Sequence, residues 1–176
     1  MKIVIIIGST REGRAGPRVA EWVASTIKSQ HEVTILDLAS YQLPFYDSPK
    51  PPSELSGEYP YEQVGRWSAD ITKAEAVIFI APEYNHGIAA PLKNAIDWLW
   101  NEWQDKPAAI VSYSNGIGGG LRGAEQLKLI LSAVGMRLTQ FHASIGSVHP
   151  DIPETAKEPI SKQLHSIVKS LEKLGN

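Results

Sequence analysis

Three short apolar runs, each followed at once by a polar or glycine-rich segment, constrain the fold of this chain more than any other feature. The runs cover residues 3–7, 76–81 and 107–113. Their apolar residues are continuous rather than alternating, which is typical of parallel strands that helices cover on both faces. Two further segments, 33–38 and 137–141, are predicted to be the remaining strands. The pattern indicates an α/β protein.

Helices are predicted between and after these strands, because apolar residues recur there at the spacing of one helix face. The residues expected to face the core are Val19, Val23, Ile27, Val64, Trp67, Ile71, Leu92, Ile96, Leu99, Leu121, Ala124, Leu127, Leu131, Val134, Ile160, Leu164, Ile167, Leu171 and Leu174. Five alternations of strand and helix predict a single domain, residues 1–176. Its expected architecture is a three-layer α/β/α sandwich whose five-stranded parallel sheet has the order 2-1-3-4-5.

Composition excludes several classes of protein. The chain has no cysteine, which excludes a thiol nucleophile, a disulfide framework and cysteine-held metal centres. Lys and Arg number 17 against 19 Asp and Glu, so nucleic-acid binding is not indicated. No segment approaches the roughly 18 apolar residues of a membrane span, and the first apolar run is too short for a signal peptide. We expect a soluble, cytoplasmic protein without a membrane or nucleic-acid partner.

The segment after the first strand, residues 8–16, is rich in glycine and arginine, and a helix is predicted to resume at Pro17. Backbone N–H groups and the positive end of a helix dipole converge at such a junction and favour an anion. The side chains that could add hydroxyl groups and charge are Ser9, Thr10, Arg11, Arg14 and Arg18. The loop is predicted to hold a phosphate; the alternative is a surface turn with solvated arginines.

The kind of phosphate is narrowed by what the loop lacks. A nucleoside-triphosphate loop needs Lys followed by Ser or Thr, and those positions hold Arg14 and Ala15. The glycines, at positions 8, 13 and 16, do not form the dinucleotide fingerprint, so Asp37 after the second strand is a weak candidate for a ribose-binding acid. A tethered phosphomonoester fits best.

Two more segments follow predicted strands. Pro82 is expected to end the third strand, and residues 83–87 are expected to form a polar, aromatic loop that displays side chains. Residues 114–120, SNGIGGG, lack side-chain bulk and would let a flat ligand approach the backbone. The alternatives are an ordinary turn for the first segment and helix-entry geometry for the second.

All three segments follow strands of the predicted parallel sheet, so they are expected to lie together at its carboxyl edge. In the order 2-1-3-4-5 the switch point lies between strands one and three, which is where FMN binds in folds of this order. A phosphate loop, a polar aromatic wall and a glycine floor at that edge together predict a pocket for flavin mononucleotide.

The motifs GSTREGR at 8–14, PEYNHGIAAPLKNAIDWL at 82–99 and SNGIGGG at 114–120 resemble the NADPH-dependent FMN reductases of flavodoxin-like fold, which include quinone and azo-dye reductases. The resemblance covers nearly the whole chain. It implies a flavodoxin-like enzyme with FMN as cofactor and NADPH or NADH as electron donor. It also implies a quinone, free flavin, azo or metal-ion acceptor and a homodimer or homotetramer.

The resemblance assigns roles to residues of each motif. The residues implied to bind the FMN phosphate are Ser9, Arg11 and the backbone through Gly16, Pro17, Arg18 and Val19. Those implied to hold the ring and ribityl chain are Pro82, Glu83, Tyr84, Asn85 and Gly87, with Ser114, Gly116 and Gly119 on the other side. Many family members have Ser where this chain has Arg14, which therefore either contacts the FMN phosphate or points toward the extra phosphate of NADPH.

No side chain is expected to be catalytic, because flavin N5 would carry the chemistry. Tyr84 and His86 are candidates for contacts on the substrate side, and no metal site is expected. Lys93 and Asp97 are predicted to form a surface ion pair. The competing hypothesis is a flavodoxin-like electron-transfer or FMN-binding module without substrate turnover, which the arginine-rich loop and the net charge of −2 disfavour.

Aromatic residues cluster in two further places. Trp98, Trp100 and Trp103 are predicted to form a subunit interface or a pocket wall. The long connection at 39–60 is predicted to be packed rather than disordered, because it is rich in aromatic side chains. These side chains are Tyr41, Phe45, Tyr46 and Tyr59.

Overall fold

Strands and helices alternate along the chain in the predicted way. The structure, a computed structural model, describes residues 1–55 and 57–175. The strands are β1 (Lys2–Ile7), β2 (Glu32–Asp37), β3 (Ala76–Tyr84), β4 (Gly87–Ile88), β5 (Pro107–Tyr113), β6 (Arg137–Leu138) and β7 (Ala143–Ile145). The helices are α1 (Gly16–Ile27), α2 (Leu38–Tyr41), α3 (Glu62–Thr72), α4 (Ala90–Asp97), α5 (Leu121–Ala133) and α6 (Glu154–Gly175), with a 3-10 turn at Pro52–Glu54.

The strands form one sheet in the order β2-β1-β3-β5-β6, with β7 also beside β5 and β4 antiparallel to β3. This confirms the predicted order, since β5 takes the fourth place and β6 and β7 share the fifth. Ile7 pairs with Ile80, and Pro82 pairs with Tyr113. The carboxyl ends of β1, β3 and β5 therefore reach the same edge of the sheet.

β3 is longer than the sequence predicted, because Pro82 does not end it. Gly8 N donates to Ile80 O on the β1 side of β3. Backbone groups alternate between the two sides of a strand, so the nitrogen of Pro82 also faces the β1 side, beyond the end of β1. No ladder bond is lost there, and the strand continues to Tyr84.

The predicted fifth strand, residues 137–141, is shortened to β6, and a further strand that the sequence analysis did not predict, β7, follows at Ala143–Ile145. Thr139 N still donates to Ala108 O, but Thr139 Oγ1 donates to Phe141 O at 2.8 Å. A threonine hydroxyl that bonds a nearby carbonyl competes with the strand ladder. The chain therefore leaves β5 after Thr139 and returns to it at Ala143.

Two apolar layers enclose the sheet, as the helix patterns predicted. α2, α3, α4 and α5 cover one face, and α1 and α6 cover the other. The predicted core residues are buried except Leu174, which is half-buried, and Leu121, which is 50% exposed. Leu121 was wrongly placed in the core; it is the first residue of α5, one turn before the helix packs on the sheet.

The interpretation of the tryptophan cluster as an interface or pocket wall is wrong for two of its members. Trp98 and Trp103 are completely buried in the core. The indole N–H of Trp98 donates to Pro44 O at 2.7 Å, and that of Trp103 donates to Ile96 O at 3.1 Å. A buried indole needs such a partner, and here the backbone supplies it. Trp100 is half-buried.

The long connection at 39–60 is packed at three of its four aromatic residues, as predicted. Tyr41 is buried and Tyr46 packs edge-on against Trp98, with ring centroids 4.8 Å apart. The hydroxyl of Tyr59 donates to Glu102 Oε1 at 2.5 Å. These contacts fix the connection, apart from the undescribed position 56, against the α3–α4 side of the core.

Phe45 is the exception, because its side chain is 79% exposed. Asn94 holds both of its neighbours: its Nδ2 donates to Pro44 O at 2.8 Å, and its Oδ1 accepts from Tyr46 N at 2.9 Å. With the backbone on either side fixed against α4, the side chain of Phe45 points to solvent.

Candidate functional site

The loop between β1 and α1 ends at a helix start without a side-chain cap. α1 begins at Gly16 after the N-cap residue Ala15, and the described residues supply no side-chain hydrogen bond to its first turn. The first N–H groups of a helix lack partners within the helix and carry the positive end of its dipole. This helix start is therefore suited to bind an anion such as phosphate.

Two of the three arginines near this loop are bound by carboxylates. Arg14 pairs with Asp37 at the end of β2, and Arg18 Nε lies 2.9 Å from Asp151 Oδ1. Arg11 donates only to the backbone oxygen of Glu12, at 3.2 Å. Within the described part of the chain, Arg11 has no carboxylate at ion-pair distance, so its positive charge is available to an external anion.

The partner of Arg14 was not predicted from the sequence, which had considered Asp37 as a ribose-binding acid. Asp37 instead has two structural contacts, since its Oδ1 also accepts a hydrogen bond from Ala39 N at 3.0 Å and caps α2. The Arg14 side chain is only 16% exposed. A contact between Arg14 and a phosphate stays a prediction.

Ser9 lies beneath the loop and is completely buried. Its Oγ is 3.1 Å from the hydroxyl of Tyr113, which ends β5 and is 6% exposed. Burial raises the pKa of Tyr113, while the hydrogen bond to Ser9 and the charges of Arg11 and Arg14 lower it. Sequence reasoning did not identify Tyr113 as a site residue, because the contact joins strands that are two places apart in the sheet.

The predicted display loop is a tight hairpin. β3 and β4 pair with Glu83 opposite Ile88 and Tyr84 opposite Gly87. Between them, Asn85 and His86 have φ values of 50° and 65°. Two consecutive left-handed residues are the signature of a two-residue hairpin turn, and Asn and His adopt that region more readily than most other residues. Asn85 and His86 are exposed, so the hairpin does present them to solvent.

Two hydrogen bonds anchor this hairpin to α5. Glu83 Oε2 accepts from Gly123 N in the first turn of α5 at 3.0 Å, and Ile88 N donates to Gln126 Oε1 at 2.8 Å. The side chain of Glu83 thus faces the helix, where a carboxylate also complements the dipole. Tyr84 is 37% exposed. The hairpin is held rigidly while its tip and one aromatic face stay accessible.

The 114–120 segment forms the third loop, and its glycines differ in role. Gly116 is exposed, and its carbonyl accepts from Ser114 Oγ at 3.0 Å and from Ser147 N at 3.1 Å. Gly119 is buried with φ 60°, and a Cβ there would lie 3.0 Å from Ile145 N. Gly119 therefore serves the packing of β7, and Gly116 is the glycine that a ligand can approach. Between them, Ile117 is 95% exposed.

Other residues that the sequence singled out lie away from a common centre. Lys93 Nζ is 2.6 Å from Asp97 Oδ2, which confirms the surface pair. Among residues 1–55 and 57–175, no three His, Asp or Glu side chains converge as metal ligands. Over the same ranges, no helix combines the length and apolarity that crossing a membrane requires.

The three loops meet at one edge of the sheet because β1, β3 and β5 are adjacent and end in register. Within residues 1–55 and 57–175, they offer a helix start without a side-chain cap, an arginine without a carboxylate partner, a hydrogen-bonded hairpin with an exposed tyrosine, and an exposed glycine. An anion site beside flat, polar and aromatic surfaces suits a planar ligand that carries one phosphate. These groups fit the phosphate and ring of FMN.

Comparison with known proteins points in the same direction. A family model described as NADPH-dependent FMN reductase matches residues 1–149. An NAD(P)H-dependent FMN reductase from Nectria sp. is 42% identical over 139 residues, which cover 76% of this chain and 68% of that protein. Another from Saccharomyces cerevisiae is 35% identical over 164 residues, or 87% and 82% of the two chains. The solved structure of FerB, a flavoenzyme NAD(P)H:(acceptor) oxidoreductase from Paracoccus denitrificans, has a TM-score of 0.81 at 26% identity and covers 98% of this chain and 97% of its own.

Proposed function

The chain belongs to the NADPH-dependent FMN reductase family, and from that membership we infer that it is an NAD(P)H-dependent flavin oxidoreductase with FMN at the carboxyl edge of its sheet. The observation that carries this inference is the meeting of three ligand-suited loops at the ends of β1, β3 and β5. Family membership favours an enzyme over a flavin-binding module without turnover. The electron acceptor is a small molecule of the quinone, flavin, azo or metal-ion class.

The FMN phosphate is assigned to the start of α1. The backbone N–H groups of Gly16 and Arg18 would supply donors, since Pro17 has none and the N–H of Val19 donates to Ala15 O at 3.1 Å; Arg11 would supply charge. Support comes from the ion pairs of the neighbouring arginines: among the residues that the structure describes, Arg14 and Arg18 have carboxylate partners and Arg11 has none. Arg14 would then hold the loop to β2 rather than bind the phosphate directly.

The ring of FMN is assigned to the space between the hairpin and the 114–120 loop. Pro82, Tyr84, Asn85 and Gly87 would line one side, and Ser114 with Gly116 would line the other; these groups are exposed or lie at the loop surface, except Pro82, which is buried. Glu83 and Gly119 would act indirectly, since their contacts hold the hairpin to α5 and the loop to β7.

Bound FMN would supply the hydride and electron chemistry, and the protein would supply binding, orientation and electrostatics. Tyr84 would form an apolar wall beside the ring, and His86 at the hairpin tip would face the substrate. Since both ends of the hairpin are hydrogen-bonded to α5, these two side chains would keep their positions as substrates exchange.

The same proposal covers domain organisation, oligomeric state and cellular location. Residues 1–176 would act as one domain, because α6, beyond the residues that the family model matches, packs into the same core as α1. The protein would assemble as a homodimer or homotetramer, for which the exposed Phe45 near the loop edge is available as a contact. It would work in the cytoplasm, in keeping with a chain that has no cysteine.

Retention of FMN tests the proposal directly. Purified protein mixed with excess FMN and then desalted should keep the visible absorbance of oxidised flavin in about one equivalent per chain. Addition of NADPH or NADH under anaerobic conditions should bleach that absorbance, and a quinone should restore it. Protein that retains no FMN at any concentration tested would overturn the assignment of the three loops, whereas retained FMN that neither nucleotide reduces would leave only the flavin-binding module.

A further inference from the structure

Tyr113 reaches from β5 to the loop that follows β1. β3 lies between these two strands, and Tyr113 is paired in the ladder with Pro82 of β3. Its ring belongs to the apolar layer under α1 and α6, and its hydroxyl emerges 3.1 Å from Ser9 Oγ. One side chain thus bridges β3 and joins the end of β5 to the loop after β1.

The two hydroxyl groups lie directly against the first residue of α1. A Cβ placed on Gly16 would be 2.5 Å from Ser9 Oγ and 2.9 Å from Tyr113 Oη. Both distances are below the closest approach that a carbon makes to a non-bonded oxygen, so the space that a side chain at position 16 needs is filled. The start of α1 therefore rests on the Ser9–Tyr113 pair.

The proton arrangement of the pair is constrained by its surroundings. Burial raises the pKa of Tyr113, so the phenol stays protonated at neutral pH. If the Tyr113 hydroxyl donates to Ser9 Oγ, the single hydroxyl proton of Ser9 remains available for a hydrogen bond to a group in the loop above. Arg11 and Arg14 act on the phenol electrostatically, which places the pair beneath the positive region of the loop.

We propose that Tyr113 is a positioning residue for the FMN phosphate, holding Ser9 and the first turn of α1 in the geometry that binds the anion. The proposal rests on the proposed function. Because Tyr113 immediately precedes the 114–120 loop, the contact of its hydroxyl with Ser9 Oγ links the start of that loop to the loop after β1.

The distinguishing experiment compares FMN with riboflavin, which has the same ring and no phosphate. Dissociation constants are measured by quenching of flavin fluorescence for the unchanged protein, Tyr113→Phe, Ser9→Ala and the double variant. Tyr113→Phe removes only the hydroxyl and keeps the packed ring, and thermal melting verifies the fold. Tyr61→Phe is the matched control, since its hydroxyl donates at 2.7 Å to Asp47 outside the site.

We expect Tyr113→Phe to weaken FMN binding roughly 5- to 10-fold, the effect of one buried hydrogen bond, and to leave riboflavin binding unchanged. Ser9→Ala should weaken FMN binding by a similar factor. The double variant should bind FMN no less tightly than whichever single variant binds it less tightly, because both substitutions remove the same hydrogen bond. Tyr61→Phe should change neither constant. Should Tyr113→Phe melt far below the unchanged protein, Ser9→Ala alone decides, by the same FMN-against-riboflavin contrast.

Two results would overturn the inference. Equal losses for FMN and riboflavin would indicate general damage to the fold, and equal affinities of Tyr113→Phe and the unchanged protein would show that the hydroxyl has no role. Both are read on a protein that binds FMN. If the unchanged protein itself binds no FMN, the proposed function fails first, and the two failures are told apart.

Discussion

The two edges of the sheet differ in the volume of their clefts and in the hydrogen-bond donors that they present to solvent. The amino edge carries an open cleft of about 640 Å³, lined by residues that include Glu75, Lys106, Arg137 and Glu172. The carboxyl edge carries the three loops, and the cleft there beside Thr10 and Pro91 measures about 300 Å³. By volume alone, the amino edge would be the better site.

The charged groups of the amino edge are already bound by the protein. Lys106 Nζ donates to Ile71 O at 3.1 Å and to Ala74 O at 2.5 Å, and Arg137 Nε donates to Asp105 O at 2.7 Å. At the carboxyl edge, Arg11 also donates to a backbone carbonyl, that of Glu12, so the difference lies in the start of α1, whose first N–H groups have no side-chain cap among the described residues. The proposed site is therefore placed by uncapped backbone donors rather than by the size of a cavity.

The largest effect is expected at Gly16, where the carboxyl edge has no space for a side chain. Gly16→Val would force a branched side chain onto Ser9 and Tyr113, so we expect loss of FMN binding and a fall in unfolding free energy of about 1–3 kcal/mol. Gly65→Ala is the control, because a Cβ there, within α3, meets nothing within 4 Å. It should raise stability by about 0.5–1 kcal/mol. Urea unfolding and FMN titration measure both; FMN binding that survives Gly16→Val contradicts the packing argument.

A charge test compares one arginine from each edge. Arg11→Ala should weaken FMN binding about 10-fold or more, because a charge-assisted hydrogen bond is lost, and should not affect riboflavin. Arg137→Ala should leave both constants unchanged, since Arg137 pairs with Pro107 at the amino edge, the opposite edge from the three loops. Titrations at low and high salt provide the measurement. Equal effects of the two substitutions would remove the distinction between the edges.

The hairpin anchor allows a smaller test. Glu83→Gln replaces the carboxylate that accepts from Gly123 N at the start of α5, and should lower the unfolding free energy by about 1 kcal/mol. Glu125→Gln, on the exposed face of the same helix, should change it by less than about 0.5 kcal/mol. Urea unfolding at neutral pH measures both. Because the side-chain oxygen of Gln can still accept from Gly123 N, an equal, small effect of the two would mean that the negative charge of Glu83 does not strengthen the bond between the hairpin and α5.

The smallest effects are expected in alkaline solution. There, rising pH should lower the contribution of Tyr113 to the unfolding free energy and raise that of Lys106. Burial raises the pKa of Tyr113 above its ordinary 10.0 and lowers that of Lys106 below its ordinary 10.5. Tyr113 thus contributes stability that is present below about pH 10 and lost as pH rises through its folded-state pKa. Lys106 contributes stability that is present above about pH 10.4 and lost as pH falls through its folded-state pKa.

Urea unfolding from about pH 8 to pH 11 measures these slopes, which span the ordinary tyrosine and lysine pKa values. Tyr113→Phe should reduce the fall in unfolding free energy above about pH 10. Lys106→Met should reduce the rise in unfolding free energy that accompanies deprotonation of Lys106 as the pH increases. Tyr41 and Tyr59, whose pKa values burial also raises, contribute equally in all three proteins and cancel in the comparison. Slopes that stay the same in both variants would contradict the burial argument.

The fold and the meeting of the three loops at one edge were predictable because they depend on local patterns. The apolar runs of β1, β3 and β5 identify strands covered on both faces, and parallel strands bring the loops after them to one edge. The helix faces were predicted from spacing alone, and burial confirms all but Leu121 and, in part, Leu174.

The errors share a different cause, because each depends on a contact between distant segments. Pro82 continues a strand only because β1 stops two residues earlier in the register. Trp98 is a core residue because Pro44, far away in the chain, accepts from its indole. The Arg14–Asp37 pair and the contact of Tyr113 with Ser9 likewise need the sheet to be assembled first. Sequence spacing carries no signal for such pairs.

The break between β6 and β7 has a consequence for how the molecules behave when they are crowded together. A continuous edge strand presents a row of N–H and C=O groups on which another chain can form a strand, and this is a common start of aggregation. Here that edge is interrupted after Leu138, where Thr139 turns the chain away from β5. Among the described residues, the interruption leaves only short exposed strands on this side of the sheet. It therefore disfavours the pairing of edge strands from two molecules.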